Sequence, residues 1–84
     1  MASVRFDSVL FVAYPQDHTP RHVHGFVDDA EVIVDLCANR TVALADRPDA
    51  IRPGNAKRSS VRRVLDGAAE HFDELAALWE KMHD

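Results

Sequence analysis

The chain has a single cysteine, Cys37. No internal disulfide can form, and a zinc site built from several thiolates is excluded, so any metal site must draw on histidine and carboxylate. Cys37 ends a strand-like run and reads as a small buried hydrophobe rather than a nucleophile. No apolar run approaches the roughly 20 residues that a membrane span needs, and the opening Met1-Ala2-Ser3-Val4-Arg5 lacks the basic-then-apolar order of a secretory leader. The expected location is cytoplasmic, with no membrane partner. An excess of positive charge is also missing: the formal net charge of −4 argues against a general nucleic-acid binder.

What is present fits one small domain. An 84-residue chain lies in the range where folding buries only about 60% of the unfolded surface, so a partner surface would add stability. The apolar share of 46% and charged share of 29% exclude disorder for most of the chain. Charge is unevenly placed: segment 46–63 carries six basic and two acidic residues, whereas 64–84 carries one basic and six acidic. The basic island consists of Arg47, Arg52, Lys57, Arg58, Arg62 and Arg63.

Val4 to Tyr14 is rich in β-formers, interrupted by Asp7-Ser8 as a turn or bulge. From Val9 to Tyr14 both alternating sets are apolar, which calls for cover on both faces. After the proline-punctuated stretch Pro15 to Pro20, His22 to Val27 reads as a strand with Asp28-Asp29 as its turn. Ala30 to Leu36 alternates, with Val32, Val34 and Leu36 on one face. Asn39-Arg40 is a tight turn, and Thr41 to Ala45 is a fourth strand with Val42 and Leu44 facing inward. Segment 46–56, with Pro48, Pro53 and Gly54, is expected to be loop. Ser59 or Ser60 then caps a helix over 57–83. Its apolar stripe Val61, Leu65, Ala68, Phe72, Leu75, Trp79 and Met82 recurs every three or four residues, the period of one helical face. These patterns predict a single α+β domain, with a four-stranded antiparallel meander over 1–45 packed against one long C-terminal helix.

The chemistry-bearing stretch is Asp17-His18-Thr19-Pro20-Arg21-His22-Val23-His24, which holds three of the five histidines. On a strand, residues i and i+2 share a side, so His22 and His24 project together about 6–7 Å apart, a spacing that suits two imidazoles on one ion. His18, folding back across Pro20, would supply a third nitrogen, with Asp17 as an oxygen ligand or as the group that orients a ring. His18, His22 and His24 are thus the expected ligands of a divalent metal, and an open fourth position would support hydrolysis. Without metal, the same histidines form a general acid–base pair of the kind RNA cleavage through the 2′-hydroxyl requires, with Arg21 or the basic island holding phosphate. A third reading makes the histidines loop fasteners that bond backbone carbonyls and stack on Tyr14 or Phe26.

At these residues the chain resembles a family of small bacterial proteins known only as domain of unknown function family 4160. The likeness runs through the aromatic-ended strand Val9 to Tyr14, the Asp17 to His24 core, the strand Ala30 to Leu36, and the pattern His71-Phe72-Asp73-Glu74-Leu75 followed by Trp79. The chain departs from that pattern at Arg21, where members usually carry a second proline, and at Gly25, where valine or alanine is common. The resemblance implies genomic company of the toxin–antitoxin type and supplies no catalytic mechanism.

Lys57, Arg58, Arg62 and Arg63 crowd the expected helix start, where the macrodipole is already positive, so they are read as contacts for RNA phosphate or an acidic partner chain. The acidic end, with Glu70, Asp73, Glu74, Glu80 and Asp84, is expected to pair with a neighbour's basic end. The functional expectation is a small cytosolic component of a toxin–antitoxin-like module. It would work as a homodimer or with a small cognate protein, acting on RNA through His22, His24 and His18, with Asp17 orienting. The alternatives are a metal-dependent hydrolase and a non-catalytic interaction protein.

Overall fold

In the computed structural model, which describes residues 1–83, alternating apolar residues build six strands and the three-to-four-residue stripe builds two α-helices. The order is β1 (Ala2–Phe6), β2 (Val9–Ala13), β3 (His22–Val27), β4 (Ala30–Leu36), a 3-10 turn (Ala38–Arg40), β5 (Val42–Leu44), β6 (Ile51–Arg52), α1 (Arg58–Glu70) and α2 (Phe72–Met82). The sheet is antiparallel throughout, in the order β1-β2-β3-β4-β5 with β6 also on β4. The α+β class and the meander are as expected from the sequence.

The four-stranded count is corrected at both ends of the sheet. Asp7 takes a φ of 56°, so Asp7-Ser8 is a true two-residue turn that sets Phe6 opposite Val9 and makes β1 a strand of its own. Segment 46–56 is not all loop: β6 sets Ile51 opposite Val32, while β5 sets Leu44 opposite Val34 on the same edge of β4. Between them Ile33 N–H donates to the Ala50 carbonyl (2.8 Å) and the Ile33 carbonyl accepts from Ala45 N–H (3.0 Å). The chain loops out from Ala45 to Ala50 and returns, and Ala45 and Ala50 pack on Ile33. Pairing of an otherwise bare edge outweighs the flanking prolines. Asp28 (φ 54°), Asn39 (φ 63°) and Arg40 (φ 59°) form the later turns, in the left-handed region that Asn and Asp tolerate best.

The single long helix is corrected as well. The chain leaves helical geometry at His71 (φ −110°, ψ 33°), whose ring stacks flat on Phe6 at 3.7 Å. The break redirects α2 across the sheet and puts Asp73 and Glu74 in the first turn of α2. There the helix dipole favours acid, so these two carboxylates are not misplaced. Neither serine caps α1: Lys57 is its N-cap, and buried Ser60 donates instead to Asp28 Oδ2 at 3.0 Å, tying α1 to the β3–β4 turn.

Val64 and Ala68 of α1 and Phe72, Leu75 and Trp79 of α2 pack on one sheet face made by Val9, Phe11, Val23, Val27, Val32, Val34 and Leu36. Burying a side chain such as Leu75, fully enclosed here, contributes about 1.5–3 kcal/mol. Gly25 lets α1 approach: a Cβ there would collide with Val64 Cγ1 and crowd Phe11. Alternation places Leu10, Val12, His22, His24, Phe26, Glu31 and Ile33 on the other face. That face is not an open apolar patch, since Val12 and Ile33 are buried; the exposed large hydrophobics among the described residues are Met1 and Leu44. Leu44, expected to face inward, is 40% exposed, because β5 lies at the sheet edge.

Candidate metal centre

The turn after β2 closes with Asp17 N–H donating to the Tyr14 carbonyl (3.2 Å) and Tyr14 N–H donating to Asp17 Oδ2 (3.4 Å). This returns the Asp17 carboxylate over the start of β3, where His22 and His24 share a side. Asp17 Oδ2 lies 3.4 Å from His22 Nε2 and 3.2 Å from His24 Nε2, and the three ligand atoms all fall within 4.8 Å of one another. Two donors about 2.0 Å from one tetrahedral ion lie about 3.3 Å apart, so the two aspartate–histidine spacings are those of a coordination shell.

The ring orientations agree. His22 Nδ1 lies 2.9 Å from the Pro20 carbonyl oxygen, which can only accept. The proton therefore sits on Nδ1, and in the neutral ring Nε2 presents a lone pair. That Nε2 is buried and has no hydrogen-bond partner among the described residues. His24 Nδ1 lies 2.8 Å from Glu31 Oε2, and the other oxygen of Glu31 accepts from Arg52 at 2.7 Å. The side chains of His22, His24 and Asp17 are 7%, 11% and 17% exposed.

Aromatic rings wall the cluster. Tyr14 meets His24 edge-on at 4.9 Å, and Trp79 lies 5.3 Å from His22. The end of α2 closes the same side: His83 stacks on Trp79 at 3.6 Å and sets Nδ1 and Nε2 each 2.8 Å from the carbonyl oxygens of Trp79 and Asp17.

Of the residues singled out in the sequence, the fold unites Asp17, His22 and His24 and leaves out His18, which is exposed. Asp17 takes the place expected of His18, because the Tyr14–Asp17 turn aims the aspartate inward. Arg21 lies one step out of phase with the histidines, and its guanidinium sits over Phe72 at 5.7 Å. The basic residues of α1 form a separate surface. Arg63 contacts Ser8 and Asp28, Lys57 lines a cleft with Asp28 and Ser60, and Arg58 and Arg62 border a groove floored by Ile51, Val61 and Leu65. They adjoin the β3–β4 turn, about 13–20 Å along β3 from the histidines. The carboxylates with altered acidity also lie elsewhere. A hydrogen bond from Arg47 holds Asp49 below the usual carboxylate range, and His71 does the same for Glu74.

Glu31, Arg52, Trp79 and His83 belong to the surroundings of the site; Arg52 was expected in the basic island and Trp79 in the helix stripe, whereas Glu31 and His83 were not singled out from the sequence. For Glu31 a signal existed: a two-residue Asp28-Asp29 turn sets Phe26 opposite Glu31 and His24 opposite Ile33, which makes Glu31 the diagonal neighbour of His24. For His83 there was none, because its contact with Asp17 spans 66 residues. No family model matches the chain, and neither the curated proteins nor the solved structures contain a match.

Proposed function

We propose that this chain is a metal-binding domain that holds one divalent transition-metal ion through Asp17 Oδ2, His22 Nε2 and His24 Nε2. The observation that carries this reading is the buried Nε2 of His22, which has no hydrogen-bond partner among the described residues. A buried polar atom without a partner costs about 1–3 kcal/mol, and an ion shared with Asp17 and His24 removes that cost. Two imidazoles and a carboxylate suit zinc, iron, nickel or copper better than magnesium or calcium, which prefer all-oxygen shells. Such an ion would supply Lewis acidity and a bound water of lowered pKa. The enclosure of the donors favours an ion that fastens the 14–21 loop to β3 over one that meets a large substrate. Elemental analysis after chelator-free purification and zinc reconstitution tests it: one ion per chain is expected, and its absence would remove the proposal.

A second reading follows the family resemblance: the chain acts as a member of a toxin–antitoxin-like module, associating with a small partner protein or with RNA through α1. It is favoured by the exposed Arg58 and Arg62 beside the groove of Ile51, Val61 and Leu65. Expression in a bacterial host, alone and with the neighbouring gene, is its test. Growth arrest relieved by the neighbour supports it, and normal growth in both cases counts against the chain being the toxic member.

A further inference from the structure

The β3–β4 hairpin places a second carboxylate behind the proposed metal ligands. Glu31 lies diagonally across from His24, and its Oε2 is 2.8 Å from His24 Nδ1, the nitrogen turned away from Asp17. Its other oxygen, Oε1, accepts from Arg52 at 2.7 Å. Arg52 is brought there by β6, which pairs with β4 so that Glu31 and Arg52 are direct partners. The Glu31 side chain is only 15% exposed whereas that of Arg52 is 61% exposed, so the carboxylate bridges a surface guanidinium to a buried imidazole.

This arrangement explains two features left open by the ligands alone. β6 is just two residues long, yet it supplies the one arginine opposite Glu31. Glu31 itself faces inward toward His24 although water would solvate it better. His24 Nε2 is also within hydrogen-bond distance of Asp17 Oδ2 at 3.2 Å, so each ring nitrogen faces a carboxylate. With an ion between Nε2 and Asp17, Glu31 accepts the remaining proton on Nδ1, holds the ring plane, and makes the imidazole a better donor. His22 receives the same treatment from a neutral group, the Pro20 carbonyl. The two ligands are therefore unequal, with His24 backed by a full negative charge that Arg52 in turn holds in place.

We infer that Glu31 is the positioning residue of the metal centre: held by Arg52, it locks His24 in the Nδ1–H tautomer that presents Nε2 to the ion. The inference rests on the metal-binding reading given above. It assigns to Glu31 no contact with the ion, and it extends the site from the 14–24 segment to β4 and β6. Arg52 and Glu31 both border a cleft shared with Phe26, Asp28 and Pro53, so the positioning carboxylate adjoins the protein surface beside its arginine.

The test uses the full chain with zinc as the probe. Affinity is measured against a competing chelator for wild type, Glu31→Ala, Glu31→Gln and Arg52→Gln, and the histidine ring protons are followed by nitrogen-15 NMR in the zinc-loaded protein. Glu31→Ala is expected to weaken zinc binding about 10–100-fold, the usual effect of removing such a partner. Glu31→Gln, which keeps an acceptor but not the charge, should fall between it and wild type, and Arg52→Gln should weaken binding less than Glu31→Ala. The wild type should show a slowly exchanging Nδ1–H on both His22 and His24, and Glu31→Ala should lose the His24 signal alone, which a general loss of stability would not do. Wild-type binding with Glu31→Ala within twofold of it, or loss of both ring signals together, would overturn the inference. Failure of the wild type to bind zinc would instead overturn the metal-binding reading on which it stands.

Discussion

His22 Nε2 and Asp17 Oδ2 face each other at 3.4 Å inside the protein without forming a hydrogen bond. The proton that would make the bond is held on the opposite side of the ring by the Pro20 carbonyl. In the neutral ring a lone pair then faces a carboxylate oxygen, an unfavourable pairing that a cation shared by both atoms makes favourable. Asp17→Ala is therefore expected to lower zinc affinity far more than His18→Ala, because the first removes a converging donor and the second an exposed ring. Titration against a chelator, run side by side on the two variants, decides between the aspartate and the histidine as third ligand.

Gly25 and Val64 define the closest approach of α1 to the sheet. Gly25→Ala is expected to destabilise the domain by about 1–3 kcal/mol through overpacking. Val64→Ala vacates the colliding methyls. The double variant should then be more stable than the sum of the two single effects, with a coupling of about 0.5–3 kcal/mol. Urea denaturation of the four proteins in the cycle checks this, and strict additivity would show that the collision does not limit the packing.

Ser60 is buried and donates to Asp28 across the start of α1. Ser60→Ala should cost about 1 kcal/mol. For a domain of this size that corresponds to a fall of roughly 4–8 °C in melting temperature. Were Ser60 a helix cap, Ser60→Asp would be tolerated; placed against Asp28 it should instead be worse than alanine, because two carboxylates would meet. Thermal melts of the two variants separate these roles.

Glu74 is held below the ordinary glutamate range chiefly by its hydrogen bond with His71. A depressed carboxyl contributes stability at neutral pH that is lost as pH falls through its folded-state value. Both groups are at the surface, so the contribution is small. Carboxyl carbon-13 titration should place the Glu74 midpoint below the free glutamate value in the wild type and raise it toward that value in His71→Ala. An unchanged midpoint would mean that the pair does not form in solution.

Much of the fold was written in local pattern. The Asp28-Asp29 turn, the alternation of Val32, Val34 and Leu36, and the doubly apolar run from Val9 gave the central hairpins, because each depends on neighbours in sequence. The break at His71 was hidden because the apolar stripe runs through it without a change of period, and its partner Phe6 lies at the other end of the chain. β6 was hidden because two residues between Pro48 and Pro53 carry no strand signal; they pair only because β4 offers a bare edge. Of the site, the His22–His24 pair followed from strand geometry. The choice of Asp17 over His18 did not, since it depends on how one turn closes after Tyr14.

The central claim is that Asp17, His22 and His24 together hold one ion. Calorimetric titration of the metal-free chain with zinc, in parallel with a His22→Ala, His24→Ala double variant shown by circular dichroism to be folded, tests it most directly. Saturation at one zinc per chain for the wild type, with no saturable binding by the double variant, is the predicted result. Equal binding by both proteins, or none by the wild type, would contradict it.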